Sequence, residues 1–293
     1  MTRRWIAALF AMAAGWAPAA QQQFRATVDA VAVDVSVKNG NTPVLGLTVA
    51  DFTLLDNGVP QRIDAVSIES LPIDVTLLLD VSGSTQGTLL PRLKAAVTES
   101  AALLTPRDTI RLLTFSNAVQ EAFDFKPSES LPNLSRLAAG GGTSFHEGLI
   151  AAMIKSRPTE RRHLIIAFTD GTDTSSFLGY DAARDVALRS DAVVHVVLGR
   201  DPVGFGWLGP SNQDVAVLTA LTGGGSTEFS RTGTAPIGKV FTKVIEDFRT
   251  SYVLRYTLSG VPRAGWHDIT VRLNRSGTFV IRAKKGYAGA LPD

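Results

Sequence analysis

The sequence predicts a doubly wound α/β domain, with a mostly parallel sheet, inserted in a small antiparallel β domain. Between residues 72 and 249, apolar strand-like runs alternate with helical segments, which is typical of a parallel sheet covered by helices on both faces. On either side of this stretch, apolar and polar residues alternate with a period of two, as in half-buried antiparallel strands. A lone hairpin is only marginally stable in water, so we expect the two flanks to form one domain together.

The period of two is clearest at residues 31–37, 252–258 and 269–273. A short strand is predicted at Phe52–Asp56, and Asp56-Asn57-Gly58 is typical of the tight turn of a hairpin. The returning strand is predicted at Gln61–Ile68. We therefore assign residues 21–71 and 250–288 to one discontinuous, β-sandwich-like domain.

Residues 72–249 are assigned to the inserted domain. Ile73–Leu79 is almost continuously apolar, as expected of a central strand that is covered on both faces. Leu89–Leu104 places its apolar residues on one face of a helix. Further strands are predicted at Ile110–Phe115, Val119–Phe125 (an edge strand), Leu164–Phe168 and Ala192–Leu198, and further helices at Glu147–Lys155, Asp181–Ser190, Asp214–Leu221 and Ile237–Arg249.

The first residues predict export. Arg3-Arg4 precedes an apolar run from Trp5 to Trp16, and Ala17-Pro18-Ala19 supplies the small residues of a signal peptidase site. A transmembrane anchor needs about 20 apolar residues, and this run is shorter. We therefore predict a signal peptide at residues 1–20, a periplasmic or extracellular location, and no stable transmembrane anchor after cleavage. The chain has no cysteine, so packing and bound ions rather than disulfides must stabilise it.

Charge and motifs argue against two classes of partner. The formal net charge is +2 and the basic residues are scattered along the chain, so nucleic acid binding is not expected. Gly140-Gly141-Gly142 belongs to neither of the glycine patterns that bind dinucleotides or nucleoside triphosphates, so no nucleotide is expected either.

Oxygen-bearing side chains lie in three segments where strands end or helices begin. Asp80-Val81-Ser82-Gly83-Ser84 follows the first buried strand, Thr143 follows three glycines, and Asp170 lies in Thr169-Asp170-Gly171 after another strand. Ligands of an open parallel sheet lie at the carboxyl ends of its strands, so we expect these side chains to converge. The candidate metal ligands are Asp80, Ser82, Ser84, Thr143 and Asp170.

These ligands predict a hard divalent metal. All five supply oxygen, which favours Mg²⁺, Mn²⁺ or Ca²⁺ over zinc or copper, and a small set completed by waters suits octahedral Mg²⁺ best. Only Asp80 and Asp170 are anionic, so the metal would keep much of its positive charge. Such a metal favours a carboxylate as a further ligand, which predicts a protein partner that presents an acidic residue.

Four neighbouring residues are candidates for the rim of the site: Gly83, Ser144, Asp173 and His146. Gly83 has no Cβ and permits the tight backbone that Ser82 and Ser84 need in order to converge. Asp173 either orients a ligand or solvates its loop, and His146 is also interpreted as an incidental exposed histidine.

Two further interpretations stay open. Ser82 and Ser84 are also good caps for the next helix, because serine is a preferred capping residue. The aromatic residues Phe177, Phe205 and Trp207 either line the rim of a partner surface or pack within ordinary loops.

These motifs resemble the metal-ion-dependent adhesion site of von Willebrand factor type A domains. The resemblance covers roughly residues 73–249, and it rests on Asp-Val-Ser-Gly-Ser at 80–84, Thr143 and Thr-Asp-Gly at 169–171. It implies a Rossmann-like fold in which two serines and a threonine donate hydroxyl ligands and the aspartates bind directly or through water. The flanks at 52–60, 252–256 and 282–287 are similar to those of exported type A-related proteins of acidobacterial genomes.

The resemblance implies an exported, metal-dependent protein-binding module of the adhesion type, which is not an enzyme. One alternative is a structural envelope protein in which the metal only stabilises the fold. Another is a metal-dependent phosphoester hydrolase, because Asp80 also stands where aspartate-dependent phosphatases have their nucleophile. Those enzymes need a second carboxylate two residues later as the general acid, and this chain has Ser82 there.

Overall fold

The computed structural model describes residues 30–68, 71–155, 157–158, 160–170, 173–200, 212–231 and 233–289. The predicted signal peptide at residues 1–20 and the aromatic residues Phe205 and Trp207 lie outside the described residues. Within the described part of the chain, no helix is both long enough and apolar enough to cross a membrane.

Fifteen strands and five helices are assigned in the described residues. The strands before the insert are β1 (Ala30–Asn39), β2 (Thr42–Pro43), β3 (Phe52–Asp56), β4 (Val59–Gln61) and β5 (Ile63–Ser67). The insert contains β6 (Ile73–Asp80), α1 (Leu89–Ala102), β7 (Thr109–Phe115), β8 (Val119–Lys126), α2 (Phe145–Met153), β9 (Arg162–Thr169), α3 (Tyr180–Arg189), β10 (Val193–Arg200), α4 (Asn212–Leu221), β11 (Gly225–Ser230) and α5 (Ile237–Arg249). The strands after it are β12 (Tyr252–Thr257), β13 (Trp266–Leu273), β14 (Val280–Ala283) and β15 (Gly286–Ala288).

The insert forms a six-stranded sheet in the order β11-β10-β9-β6-β7-β8. All neighbours are parallel except β7 and β8, which pair antiparallel at one edge. Every residue of β6 and β9 is buried, as expected of central strands that are covered on both faces. The prediction of a doubly wound, mostly parallel sheet is confirmed.

Helices cover both faces of this sheet. Leu93 of α1 and Phe241 of α5 are buried in the core on one face, and Phe145 of α2 and Ala183 of α3 are buried in the core on the other. Full burial of one large apolar side chain contributes about 1.5–3 kcal/mol, so these two layers hold the sheet rigid. A rigid sheet fixes where its carboxyl edge places side chains.

Strand β11 was not predicted from the sequence. Its residues are mostly small or polar, and only Gly225 and Phe229 are buried. It is an edge strand, which needs few apolar side chains because one of its sides has no neighbouring strand. The next residue, Arg231, lies at the carboxyl edge of the sheet.

The flanking segments form two antiparallel sheets. One has the order β14-β1-β12-β5, with β2 beside β1, and the other has the order β15-β13-β3-β4. The alternating apolar residues Val33, Val35 and Val37 of β1 point into the core between the sheets, together with Leu54 and Leu254. The prediction of a split antiparallel β domain around the insert is confirmed.

A buried polar network lies inside this β domain. Asp56 accepts hydrogen bonds from the hydroxyls of Tyr256 at 2.7 Å and Tyr287 at 3.2 Å. Its other oxygen lies 2.8 Å from Nδ1 of His267, whose ring stacks on Tyr287. Asp56 and His267 are completely buried. The partners come from β3, β12, β13 and β15, so the network joins strands of both outer sheets.

Arg162 connects the outer β domain to the insert. It begins β9, and its guanidinium donates from Nε to Asp34 of β1 at 2.8 Å. The same group donates to the carbonyl of Phe248 at 3.1 Å and to the hydroxyl of Ser251 at 2.5 Å. The Arg162 side chain is almost completely buried, so this cation must be paired on all sides.

Candidate metal centre

Three loops meet at the carboxyl edge of the sheet, beside the junction of β6 and β9. The chain runs outward from β6 to β7 and β8 and then returns to β9 on the other side, so this junction is the topological switch point. The amide of Gly83 donates to the carbonyl of Gly141 at 3.0 Å, and the amide of Gly140 donates to the carbonyl of Val81 at 2.8 Å. The carbonyl of Thr143 accepts from the amide of Thr174 at 2.8 Å. Backbone hydrogen bonds thus tie the three predicted loops together.

Four of the five predicted ligand residues form one chain of hydrogen bonds. Oδ1 of Asp80 accepts from the amide of Ser82 at 2.9 Å, and the hydroxyls of Ser82 and Ser84 are 3.0 Å apart. The hydroxyl of Ser84 donates to Oδ1 of Asp170 at 2.7 Å. The fifth residue, Thr143, is 5% exposed, and its carbonyl accepts from the amides of Thr174 and Ser175 in the neighbouring loop. The arrangement brings carboxylate and hydroxyl oxygens from separate loops to one place.

Helix capping does not explain the two serines. Helix α1 begins at Leu89 after Thr88, which lies four residues beyond Ser84. Ser82 precedes a short 3₁₀ turn but makes no capping hydrogen bond with its side chain. The side chains of Ser82 and Ser84 instead contact each other and, through Ser84, Asp170.

Two of the three glycines, Gly141 and Gly142, fit closely against Asn117, which the sequence did not indicate. The amide of Gly142 donates to Oδ1 of Asn117 at 2.6 Å. Gly141 has φ of +83°, and a Cβ there would lie 2.8 Å from the side-chain amide of Asn117. Only glycine combines this backbone angle with so close an approach. These contacts with Asn117 therefore fix the backbone of the loop that precedes Thr143.

Asp173 and His146 organise the neighbouring loop. Oδ2 of Asp173 accepts from the amide of His146 at 2.9 Å and lies 2.8 Å from Nδ1 of the same residue. Burial acts to raise the pKa of Asp173, but hydrogen bonds from His146 and Ser176 hold it well below its usual value. The side chain of His146 is 12% exposed, so its interpretation as an exposed histidine is wrong. Helix α2 begins here and buries the imidazole beside its first turn.

Two other side chains complete this rim. The hydroxyl of Ser144 is completely buried and has no hydrogen-bond partner among the described residues. Glu147 accepts from the amides of Phe177 at 2.9 Å and Leu178 at 3.2 Å. The side chain of Phe177 is nevertheless 93% exposed, so the loop is fixed while its aromatic ring faces solvent.

Arg231 is part of this edge of the sheet, and no sequence motif indicated it. Its Nε lies 3.0 Å from Oδ2 of Asp170, and its Nη2 donates to the carbonyl of Ser84 at 2.8 Å. At Gly199 a Cβ would lie 2.7 Å from the Cβ of Asp170, so a larger residue there would displace this carboxylate. A lone arginine after a strand of mostly small and polar residues does not indicate from sequence that it contacts Asp170.

Burial raises the pKa of Asp80 to about 6. The negative charge of Asp170 also acts to raise it, while hydrogen bonds from Ser82 and Thr169 act in the opposite direction. The ionised form of Asp80 is therefore disfavoured in the metal-free fold. A bound cation would reverse this effect, because it stabilises a nearby negative charge.

We expect Asp80→Asn to stabilise the metal-free protein at pH 8. Since the pKa of Asp80 is about 6 in the folded chain and about 3.9 when unfolded, its ionisation lowers the stability of the fold as the pH rises through 6. The Asn variant lacks this effect. Its free energy of unfolding should therefore exceed that of the unchanged protein by about 3 kcal/mol at pH 8, and the difference should disappear near pH 4. Urea unfolding in EDTA at several pH values measures the difference, and an advantage that does not depend on pH would contradict it.

The fold and site together define a class of protein, the Rossmann-like α/β domains with an oxygen-rich switch point. More particularly, residues 75–172 match the family model of the von Willebrand factor type A domain. The matched residues lie within the inserted domain. Domains of this family generally serve protein–protein interaction rather than catalysis.

Several solved structures are similar to this chain at low sequence identity. The ArnB paralog VWA2 from Sulfolobus acidocaldarius has a TM-score of 0.50 and 11% identity, covering 88% of this chain and 76% of that one. A von Willebrand factor type A protein from Catenulispora acidiphila has a TM-score of 0.48 and 11% identity. The match covers 90% of this chain and 75% of that one. The PilB minor pilin from Streptococcus sanguinis has a TM-score of 0.46 and 15% identity, and the match spans 62% of each chain. A search of curated proteins finds no match.

Proposed function

We propose that this chain is an exported binding module that coordinates a carboxylate of a protein partner through a divalent cation. The observation that carries the proposal is the convergence of Asp80, Ser82, Ser84 and Asp170 at the switch point of a von Willebrand factor type A domain. Export is supported by the N-terminal sequence, in which Arg3-Arg4 precedes a short apolar run and a small-residue cleavage site.

The chemistry of the donor atoms supports Mg²⁺, with Mn²⁺ and Ca²⁺ as related ions. Within the described residues, no three His, Cys, Asp or Glu side chains group together as a metal site, so hydroxyl oxygens must supply part of the ligand set. Ser82, Ser84 and Thr143 would supply these hydroxyls, and Asp80 and Asp170 the charge. All are hard oxygen donors of the kind that Mg²⁺ prefers. When bound, the cation would attract an anionic ligand, and the residues of the surrounding loops would position that ligand.

Catalysis is not part of the proposal. The chain has Ser82 at the position where an aspartate-dependent phosphatase needs its general acid, and a hydroxyl donates protons too poorly for that role. Asp80 accepts hydrogen bonds from the amide of Ser82 and the hydroxyl of Thr169, which fix its position as a ligand. A role in holding a cation accounts for these contacts.

We expect Mg²⁺ or Mn²⁺ to raise the thermal unfolding temperature of the intact protein. A ligand that binds only the folded state, at a concentration about 100-fold above its dissociation constant, adds about 2.7 kcal/mol, or roughly 5 °C or more for a chain of this size. Asp80→Asn should abolish the shift and Asp124→Asn, which changes an exposed carboxylate, should retain it. Absence of any metal-dependent shift in the unchanged protein would overturn the metal site.

A pull-down then tests the role of the metal in binding. The immobilised protein is incubated with envelope and culture-medium proteins in Mg²⁺ or in EDTA, with Asp80→Asn as the matched control. Proteins that are retained only in Mg²⁺, and that are released by free acetate, support recognition of a partner carboxylate. A thermal shift without such retention would favour a metal that only stabilises the fold.

A further inference from the structure

Arg231 places a fixed positive charge inside the proposed metal site. Its Nε lies 3.0 Å from Oδ2 of Asp170, while Oδ1 of the same carboxylate accepts from the hydroxyl of Ser84 at 2.7 Å. Both oxygens of Asp170 are therefore engaged by the protein itself. Arg231 also contacts the Asp80–Ser84 loop directly, because its Nη2 donates to the carbonyl of Ser84 at 2.8 Å.

The backbone of Arg231 is held firmly in place. Its amide donates to the carbonyl of Arg200 at 2.9 Å, and its carbonyl accepts from the guanidinium of Arg92 at 2.6 Å. The absence of a side chain at Gly199 leaves the space in which Asp170 and Arg231 meet. The contact is thus built from several elements, and it differs from an exposed ion pair between two long, mobile side chains.

Two cations that share one carboxylate oppose each other. A divalent metal at the proposed site must bind close to the Arg231 guanidinium and compete with it for the charge of Asp170. A carboxylate that arrives from a partner removes this conflict, because it neutralises positive charge on both. Arginine also suits this second contact, since its planar fork of N–H groups matches the two oxygens of a carboxylate.

We propose that Arg231 acts as an internal cation that weakens metal binding in the absence of a partner and makes the metal and the partner's carboxylate bind cooperatively. The inference rests on the proposed function and adds to it a residue that determines specificity. In the complex, the partner's carboxylate lies between the metal and Arg231, so that both positive charges strengthen the binding of the carboxylate. Coupling between two ligands is reciprocal, so metal binding must tighten in the presence of a carboxylate by the same factor by which carboxylate binding tightens with metal.

The test measures Mn²⁺ binding by calorimetry, with and without saturating acetate, at matched ionic strength. For the unchanged protein we expect acetate to tighten Mn²⁺ binding about 5- to 10-fold, within the usual range of such couplings. Arg231→Met should bind Mn²⁺ about tenfold more tightly than the unchanged protein when acetate is absent, and acetate should then tighten Mn²⁺ binding less than in the unchanged protein, because only the metal is left to attract it. Arg231→Lys keeps the charge without the fork and should fall between the two.

Arg200→Met is the matched control. Arg200 lies at the same edge of the sheet and is exposed to a similar extent, but it pairs with Glu228. It should leave both Mn²⁺ binding and the effect of acetate unchanged. Equal tightening in Arg200→Met and Arg231→Met, or unchanged or weaker binding in Arg231→Met, overturns the inference while the metal site stands. Absence of Mn²⁺ binding in every variant, with thermal unfolding still cooperative, removes the metal site itself and the inference with it.

Discussion

Asp74→Ala is expected to lower the free energy of unfolding by about 3–5 kcal/mol, because it leaves two partly buried arginines without their completely buried partner. Asp74 lies near the start of β6 and is completely buried. It accepts from Arg157 at 2.5 Å, from Nε of Arg161 at 2.8 Å and from the hydroxyl of Thr109 at 2.5 Å. Burial acts to raise the pKa of Asp74, but hydrogen bonds from Arg161 and Arg157 hold it below its usual value.

Urea unfolding of the Asp74→Ala variant measures this loss. The stabilising effect of Asp74 exists above the pKa of the unfolded carboxyl and is lost as the pH falls through its lower pKa in the folded chain. The difference between the variant and the unchanged protein should therefore be largest near neutral pH and shrink in acid. Asp124→Ala is the control, because Asp124 pairs with Lys155 at the surface and should cost no more than about 1 kcal/mol. A loss for Asp74→Ala as small as that of the control would contradict the expectation.

Asp56→Ala is expected to destabilise the outer β domain by about 3–5 kcal/mol, because it leaves buried polar groups without partners. The carboxylate accepts from the hydroxyls of Tyr256 and Tyr287 and contacts Nδ1 of His267 at 2.8 Å. Tyr256 and His267 are completely buried, so neither can turn to solvent. Tyr256→Phe removes one of the partners and leaves the carboxylate in place, so it should cost about 1–2 kcal/mol.

Two measurements make the expectation for Asp56 specific. Asp64→Ala serves as the control, since Asp64 pairs with the exposed Arg62 and should change the free energy of unfolding by less than about 1 kcal/mol. Mn²⁺ affinity, measured under conditions where the variant is folded, should be unchanged, because Asp56 lies in the outer domain and the proposed site lies in the insert. A variant as stable as Asp64→Ala would show that the network contributes little.

Much of the fold was predictable because its elements follow simple periodicities. The almost continuous apolar run at Ile73–Leu79 predicted a strand that is covered on both faces, and it is β6. The alternating valines of residues 31–37 likewise predicted β1. Strand β11 escaped prediction because Gly225–Ser230 owes its strand conformation to pairing with β10 and not to its own residues.

The candidate site was predictable for residues that lie at the ends of strong strands. Asp80 ends β6 and Asp170 follows β9 directly, and parallel strands bring their carboxyl ends to one edge. Their contact with Arg231 depends on long-range pairing that no local pattern reports. The same holds for Asp56 and His267, which are separated by 211 positions in the chain. The metal-binding role of the five ligands stays a prediction.

The insertion point determines how mechanical load would pass through this protein. Strands β5 and β12 are antiparallel neighbours, with Ser67 beside Val253, so both connections to the insert leave the outer sheet at the same end. A pull on the insert would therefore separate β5 from β12 one hydrogen bond after another. Arg162 spans the base of the insert to Asp34 and Ser251 at this end. Its contacts would carry tension before the strands begin to separate.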